Sequence, residues 1–277
     1  GGTAGGVKLI ALAACVVPVG VMLPGSPAGA WTESPSLQDQ ERIPCPPALA
    51  TRVLGSTRLV QSPPQPGVPG YGARLATTAY GWPRLERWCV WIEPALAATA
   101  SGPASGFASG PAEMNAVQRR WQLAVTSALQ SWKSLLPLAL VADPEAAQVR
   151  IWRRLPPLAR DAAGRQRASH GRALLRLAAV ERLAGQWRLE PAVEVLIGPG
   201  QRAEALQATA LHELGHAFGI WGHSEAPGDA MAIAPGPVPV LVPSERDRST
   251  LRWLYAQPTA FGGPFVPPQA SAKPADP

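Results

Sequence analysis

The run His212-Glu213-Leu214-Gly215-His216-Ala217-Phe218-Gly219, continued by Gly222-His223-Ser224 and Asp229-Ala230-Met231, constrains this chain more than any other stretch. It holds three of the four histidines in 277 residues, with a carboxylate between the first two. Residues four apart lie on one face of a helix, so His212 and His216 can address one metal ion. Glu213 sits beside the first ligand, within reach of a water at that metal. Gly219 allows a sharp helix end, because glycine takes the left-handed backbone conformation at low cost. The chain can then turn and bring His223 to the metal from another direction. Three neutral imidazoles with a fourth position open describe a catalytic zinc site, not a closed structural one. The bland alternative, two histidines on a solvated helix, leaves the glycine, the third histidine and the methionine unexplained.

These residues resemble the extended zinc motif and Met-turn of the metzincin metallopeptidases, nearest the matrixin-like bacterial branch. Ser224 after the third histidine and Met231 eight positions beyond it carry the likeness. There are two departures. Ile220, Trp221 and Gly222 put three residues where the family has two between the glycine and the third ligand, which reads as a longer turn. Ala232 stands where many relatives carry an aromatic residue. The resemblance spans residues 80–257, with its specific part in 209–231.

The resemblance implies an α+β zincin-type catalytic domain, with a mixed twisted sheet packed on two long helices and a C-terminal helix after a Met-turn. It implies one Zn2+ held by His212, His216 and His223, with Glu213 as general base and Met231 as an apolar floor beneath the histidines. The implied activity is secreted zinc-dependent endopeptidase action on a protein or peptide substrate. Substrate would bind extended along an edge strand, for which residues 173–180 are the best candidate. A different class remains open: a secreted or surface binding protein that keeps zinc structurally. Glu213 argues against it, since a structural site has no use for a base. A zinc-free lipoprotein scaffold is a third reading. Asp229 is either a partner for a ligand histidine's second nitrogen or an exposed turn residue, and His170 reads as a loop residue.

Lys8, the apolar residues 9–23 and the Ala28-Gly29-Ala30 ending describe a secretory signal peptide over 1–30. Leu12-Ala13-Ala14-Cys15 also resembles a lipoprotein cleavage box, so a lipid or signal anchor at the membrane is the alternative. Pro18, Gly20 and Pro24 argue against a permanent span. Secretion would leave Cys45 and Cys89, which fits one disulfide. Two unpaired thiols, or Cys45 as an inhibitory zinc ligand of the matrixin propeptide kind, are the other possibilities. The net charge of +6 comes mostly from scattered arginines without a dense run, which speaks against nucleic-acid binding. A monomer is expected.

Residues 31–79 are rich in Pro, Ser and Gln and read as a linker or propeptide-like extension with little core of its own. The catalytic domain covers 80–257, and 258–277 reads as a disordered Pro/Ala-rich tail. Within the domain, strands are expected at 88–92, 138–141, 148–152, 173–180 and 187–197, with Gly185 in a hairpin turn. Met114, Val117, Trp121, Ala124, Ala128, Trp132 and Leu135 mark one apolar stripe of a helix over 114–136, with both tryptophans as core. The zinc helix spans about 202–218. A last helix starts at Ser244, with Asp247 answering as a variant capping box.

Overall fold

The computed structural model describes residues 45–55, 58–63, 66–95, 111–160, 164 and 166–267. The segment 1–30 read as a signal peptide, the first part of the Pro-rich extension and residues 268–277 lie outside the described residues.

Among the described residues the architecture is α+β, a mixed sheet with three helices. In chain order the strands are β1 (Ala50–Val53), β2 (Val60–Gln61), β3 (Ala76–Thr77), β4 (Trp88–Ile92), β5 (Leu138–Leu140), β6 (Val149–Trp152), β7 (Ala159–Arg160), β8 (Gln166–Arg167), β9 (Gly171–Leu183) and β10 (Gln186–Ile197). The helices are α1 (Pro111–Lys133), α2 (Ala203–Ala217) and α3 (Glu245–Ala256). Six strands form the main sheet in the order β1-β9-β10-β6-β4-β5. β5, β4, β6 and β10 run parallel, and β9 is antiparallel to β10. The chemistry of the connections explains this. Parallel neighbours need a long crossover, which α1 supplies between β4 and β5. Gly185, at φ 75°, makes the tight hairpin that reverses β9 into β10.

The stripe on α1 is the core of the molecule. Trp121, Val125, Ala128 and Trp132 are fully buried in the central core, to which β10 and α2 also contribute apolar residues. Both indoles also satisfy their N–H groups. Trp121 donates to the carbonyl of Ile197 at 3.1 Å, and Trp132 to that of Leu211 at 3.0 Å. Each thus joins apolar burial to a polar anchor, and the second anchor fixes the backbone immediately before His212. Leu206, Ala210, Leu214 and Ala217 of α2 are buried, as the sequence pattern requires. At α3, Ser244 accepts from the Asp247 N–H and Asp247 accepts from the Ser244 N–H, so the capping box is complete.

Two parts of the chain carry more structure than their composition suggests. Residues 45–79 are not a separate extension with little core: β1 joins the main sheet, and Tyr71 and Leu75 are 2 % and 0 % exposed in the central core. Cys45 and Cys89 form a disulfide, with α-carbons 6.1 Å apart, which ties this segment to β4. The thiol-switch placement of Cys45 is thereby excluded in this state. The described part of the tail is ordered too. Phe261 is buried, Phe265 meets Tyr80 edge-on at 5.8 Å, and the backbone bonds Gly262 to Leu189 and Phe265 to Trp187. Two aromatic side chains outweigh the Pro and Gly around them. No described helix is long and apolar enough to cross a membrane.

Candidate metal centre

Helix α2 presents His212 and His216 one turn apart, and the chain beyond it returns with His223. The ligand atoms of the three imidazoles lie within 4.8 Å of one another, the one cluster of metal-ligating type among the described residues. The ring centroids are 4.8 Å (212 to 216), 5.2 Å (212 to 223) and 4.8 Å (216 to 223) apart. Nitrogens about 2.1 Å from one ion are at most about 4.2 Å apart, so small ring movements bring these three to bonding distance.

The tautomers follow from the hydrogen bonds. His212 Nδ1 lies 2.9 Å from the carbonyl oxygen of Ala230, and His216 Nδ1 lies 2.7 Å from that of Ile220. A carbonyl only accepts, so each Nδ1 carries the proton and each Nε2 keeps its lone pair. Burial holds all three imidazoles below their ordinary range: His212 falls to about 4, His216 falls well below normal, and His223 also falls. The Ala230 and Ile220 carbonyls pull the first two the other way. Three neutral imidazoles at neutral pH are the donor set that a borderline-soft divalent ion prefers.

The longer turn after Gly219 has a physical role. Gly219 sits at φ 104°, where a side chain is strained. The Ile220 N–H bonds the Gly215 carbonyl at 3.0 Å, and Ile220 is fully buried. The Trp221 ring stacks on His216, with centroids 5.5 Å apart and planes inclined at 17°. Gly222 passes so near the Arg74 carbonyl that a Cβ would stand 2.5 Å from it. The turn thus supplies both the carbonyl, from Ile220, and the aromatic face, from Trp221, that fix His216.

Met231 is fully buried and its thioether packs against Gly215, between the two helical histidines; Trp132 approaches the same glycine. The turn that carries Met231 is held by Asp247, which accepts from the N–H of Ala230 at 2.7 Å, from that of Met231 at 3.4 Å and from the Tyr71 hydroxyl at 2.5 Å. Sequence reasoning missed this role, because it saw Asp247 only as a helix cap. Asp229 is neither a partner of a ligand histidine nor an exposed turn residue. It is 5 % exposed, accepts from Ser224 and Ser244, and faces Arg246. His170 stands outside the cluster.

Glu213 packs against β9. Gly171 makes room for it: a Cβ there would stand 2.7 Å from Glu213 Cγ. Burial raises the Glu213 carboxyl to about 7, against the opposing pull of the Ala173 N–H bond and the Arg172 charge. A carboxyl poised near neutrality, next in sequence to His212, is suited to taking and giving a proton.

The edge expected at 173–180 needs correction. β1 pairs with residues 178–181 of β9, and the Leu54 N–H bonds the Leu177 carbonyl at 2.8 Å. Only the part of β9 nearest Glu213, from Gly171 to Arg176, has no partner strand on that side among the described residues.

No protein-family model matches the chain, and no curated protein matches it.

Proposed function

We propose that the chain is a zinc-dependent peptidase of metzincin type. The observation that carries this reading is Glu213: its carboxyl, next in sequence to His212 of the three-histidine cluster, is raised to about 7 by burial and hydrogen-bonded to Ala173 of β9. His212, His216 and His223 would hold the ion. A zinc ion in that place acidifies water and polarises a carbonyl group. Glu213 takes one proton from water as the oxygen adds to the scissile carbonyl carbon. It passes that proton to the amine nitrogen as the C–N bond breaks, leaving a carboxylic acid and an amine, which become carboxylate and ammonium at neutral pH. The edge of β9 holds the substrate extended by strand addition. Met231 supplies a rigid apolar support. The Cys45–Cys89 disulfide favours an oxidising, extracytoplasmic compartment.

The test combines metal analysis with cleavage of a random peptide library by the parent and by Glu213→Gln. The expected result is one zinc per chain in both proteins, hydrolysis by the parent, and a loss of about 100-fold or more in the variant. Equal hydrolysis by the two would remove Glu213 from the mechanism. Zinc without hydrolysis in the parent would favour the binding-protein reading.

A further inference from the structure

The N-terminal segment is built into the edge of the sheet where an extended peptide would continue. β1 lies antiparallel to β9, with Ala50 opposite Glu181 and Val53 opposite Ala178. Leu54 then bonds Leu177. The exposure of β9 changes at that point. Residues 172–176 are half-buried or exposed, with Leu174 at 38 %, whereas 177–180 are buried. Outward-facing backbone groups alternate along a strand, so Leu177, Ala179 and Glu181 belong to the same set as Gly171, Ala173 and Leu175. β1 and an incoming peptide therefore compete for one row of hydrogen-bonding groups, and β1 has taken the far end of it.

This segment is firmly held. The disulfide fixes Cys45 to β4. Arg182, paired with Glu190 at 2.9 Å, donates to the Pro46 carbonyl. The Ala48 N–H bonds Glu145 and the Leu49 N–H bonds Glu181. Past Leu54 the chain reaches Val60, which pairs with Thr77, and the Ala76 N–H next to it bonds the carbonyl of Trp221 at 2.7 Å.

We propose that β1 and Leu54 form a stop that limits the substrate to about three residues on the amino side of the scissile bond. The proposal rests on the peptidase reading above. A peptide added antiparallel to β9, the orientation of β1 itself and the slightly more stable one, runs in line with β1 from the Leu177 end toward Gly171. Its reacting bond must lie by Glu213, near Ala173. Between Ala173 and the position taken by Leu54 lie residues 174–176, about 10 Å of strand. The preferred substrates are therefore peptides cut close to a free amino terminus, with no matching limit on the carboxyl side.

The experiment uses the full zinc-loaded chain and a set of peptides that share one cleavable core. The amino side is lengthened one residue at a time in one series, and the carboxyl side in another. Cleavage positions and kcat/KM are read by mass spectrometry, and affinity for the same peptides is measured with Glu213→Gln. The result expected is a drop of about ten-fold or more in both kcat/KM and affinity once the amino side exceeds about three residues, with carboxyl-side length neutral or favourable. Cleavage that is indifferent to amino-side length overturns the stop while leaving the peptidase reading intact. A limit on the carboxyl side instead means parallel binding and overturns it as well. If no peptide is cut or bound, both readings fall.

Discussion

The indole of Trp221 lies flat on the imidazole of His216, with ring centroids 5.5 Å apart and planes inclined at 17°. Together with the bond from His216 Nδ1 to the Ile220 carbonyl at 2.7 Å, this contact fixes the ring in two directions. Both groups come from the turn that separates Gly219 from His223.

Trp221→Ala is therefore expected to keep the hydrogen bond and lose the stacking. Metal affinity should fall by about ten-fold, as it does when a group that orients a ligand is removed. Competition with a chromogenic chelator measures it. An unchanged affinity would mean that the Ile220 carbonyl alone orients His216.

Asp247→Asn tests the buried acceptor behind the turn that carries Met231. Asp247 Oδ2 accepts from the N–H groups of Ala230 and Ser244 at 2.7 and 2.8 Å. An amide keeps one acceptor and puts an NH2 against donors. The expected loss is about 3 kcal/mol, read from chemical denaturation. Because Ala230 also accepts from His212, metal affinity should fall with stability. A loss of stability with unchanged affinity would uncouple Asp247 from the ligand.

Removing the disulfide with Cys45→Ser and Cys89→Ser opens a crosslink across a sequence separation of 44. The unfolded chain gains freedom, and stability should drop by about 2–4 kcal/mol. Thermal unfolding under reducing and oxidising conditions provides the matching control. A parent that is indifferent to reductant would show that β1 is held by its strand pairing alone.

The metal-free chain should show the Glu213 ionisation in its stability. Burial raises this carboxyl to about 7 from an ordinary 4.5, so the folded state binds the proton more tightly than the unfolded state. That contribution is present in full below pH 4.5 and is lost as pH rises through about 7. Relative to Glu213→Gln, the parent should lose up to about 3 kcal/mol across that window. The histidines titrate in both proteins and cancel in the difference. A pH-independent difference would mean that the carboxyl is solvated.

Local pattern made much of this molecule legible. The stripe through Trp121 and Trp132, the hairpin glycine Gly185, the Ser244–Asp247 box and the spacing of His212 and His216 are all short-range features, and each stands where its periodicity or backbone chemistry requires. The features that escaped are long-range. β1 is four residues without an alternating apolar pattern, and it is a strand because β9 offers an edge and a disulfide holds it there. Phe261 and Phe265 order a Pro- and Gly-rich segment by packing on residues far away in sequence. Asp229 is buried by Ser224, Ser244 and Arg246, partners that no spacing rule links to it.

X-ray absorption at the metal edge of the zinc-loaded full chain tests the central claim most directly, since it reads the coordination shell itself. Three imidazole nitrogens at about 2.0–2.1 Å and one solvent oxygen are predicted, with one imidazole lost in each of His212→Ala, His216→Ala and His223→Ala. Four protein ligands, or a sulfur in the shell, would contradict a catalytic site built on these three histidines.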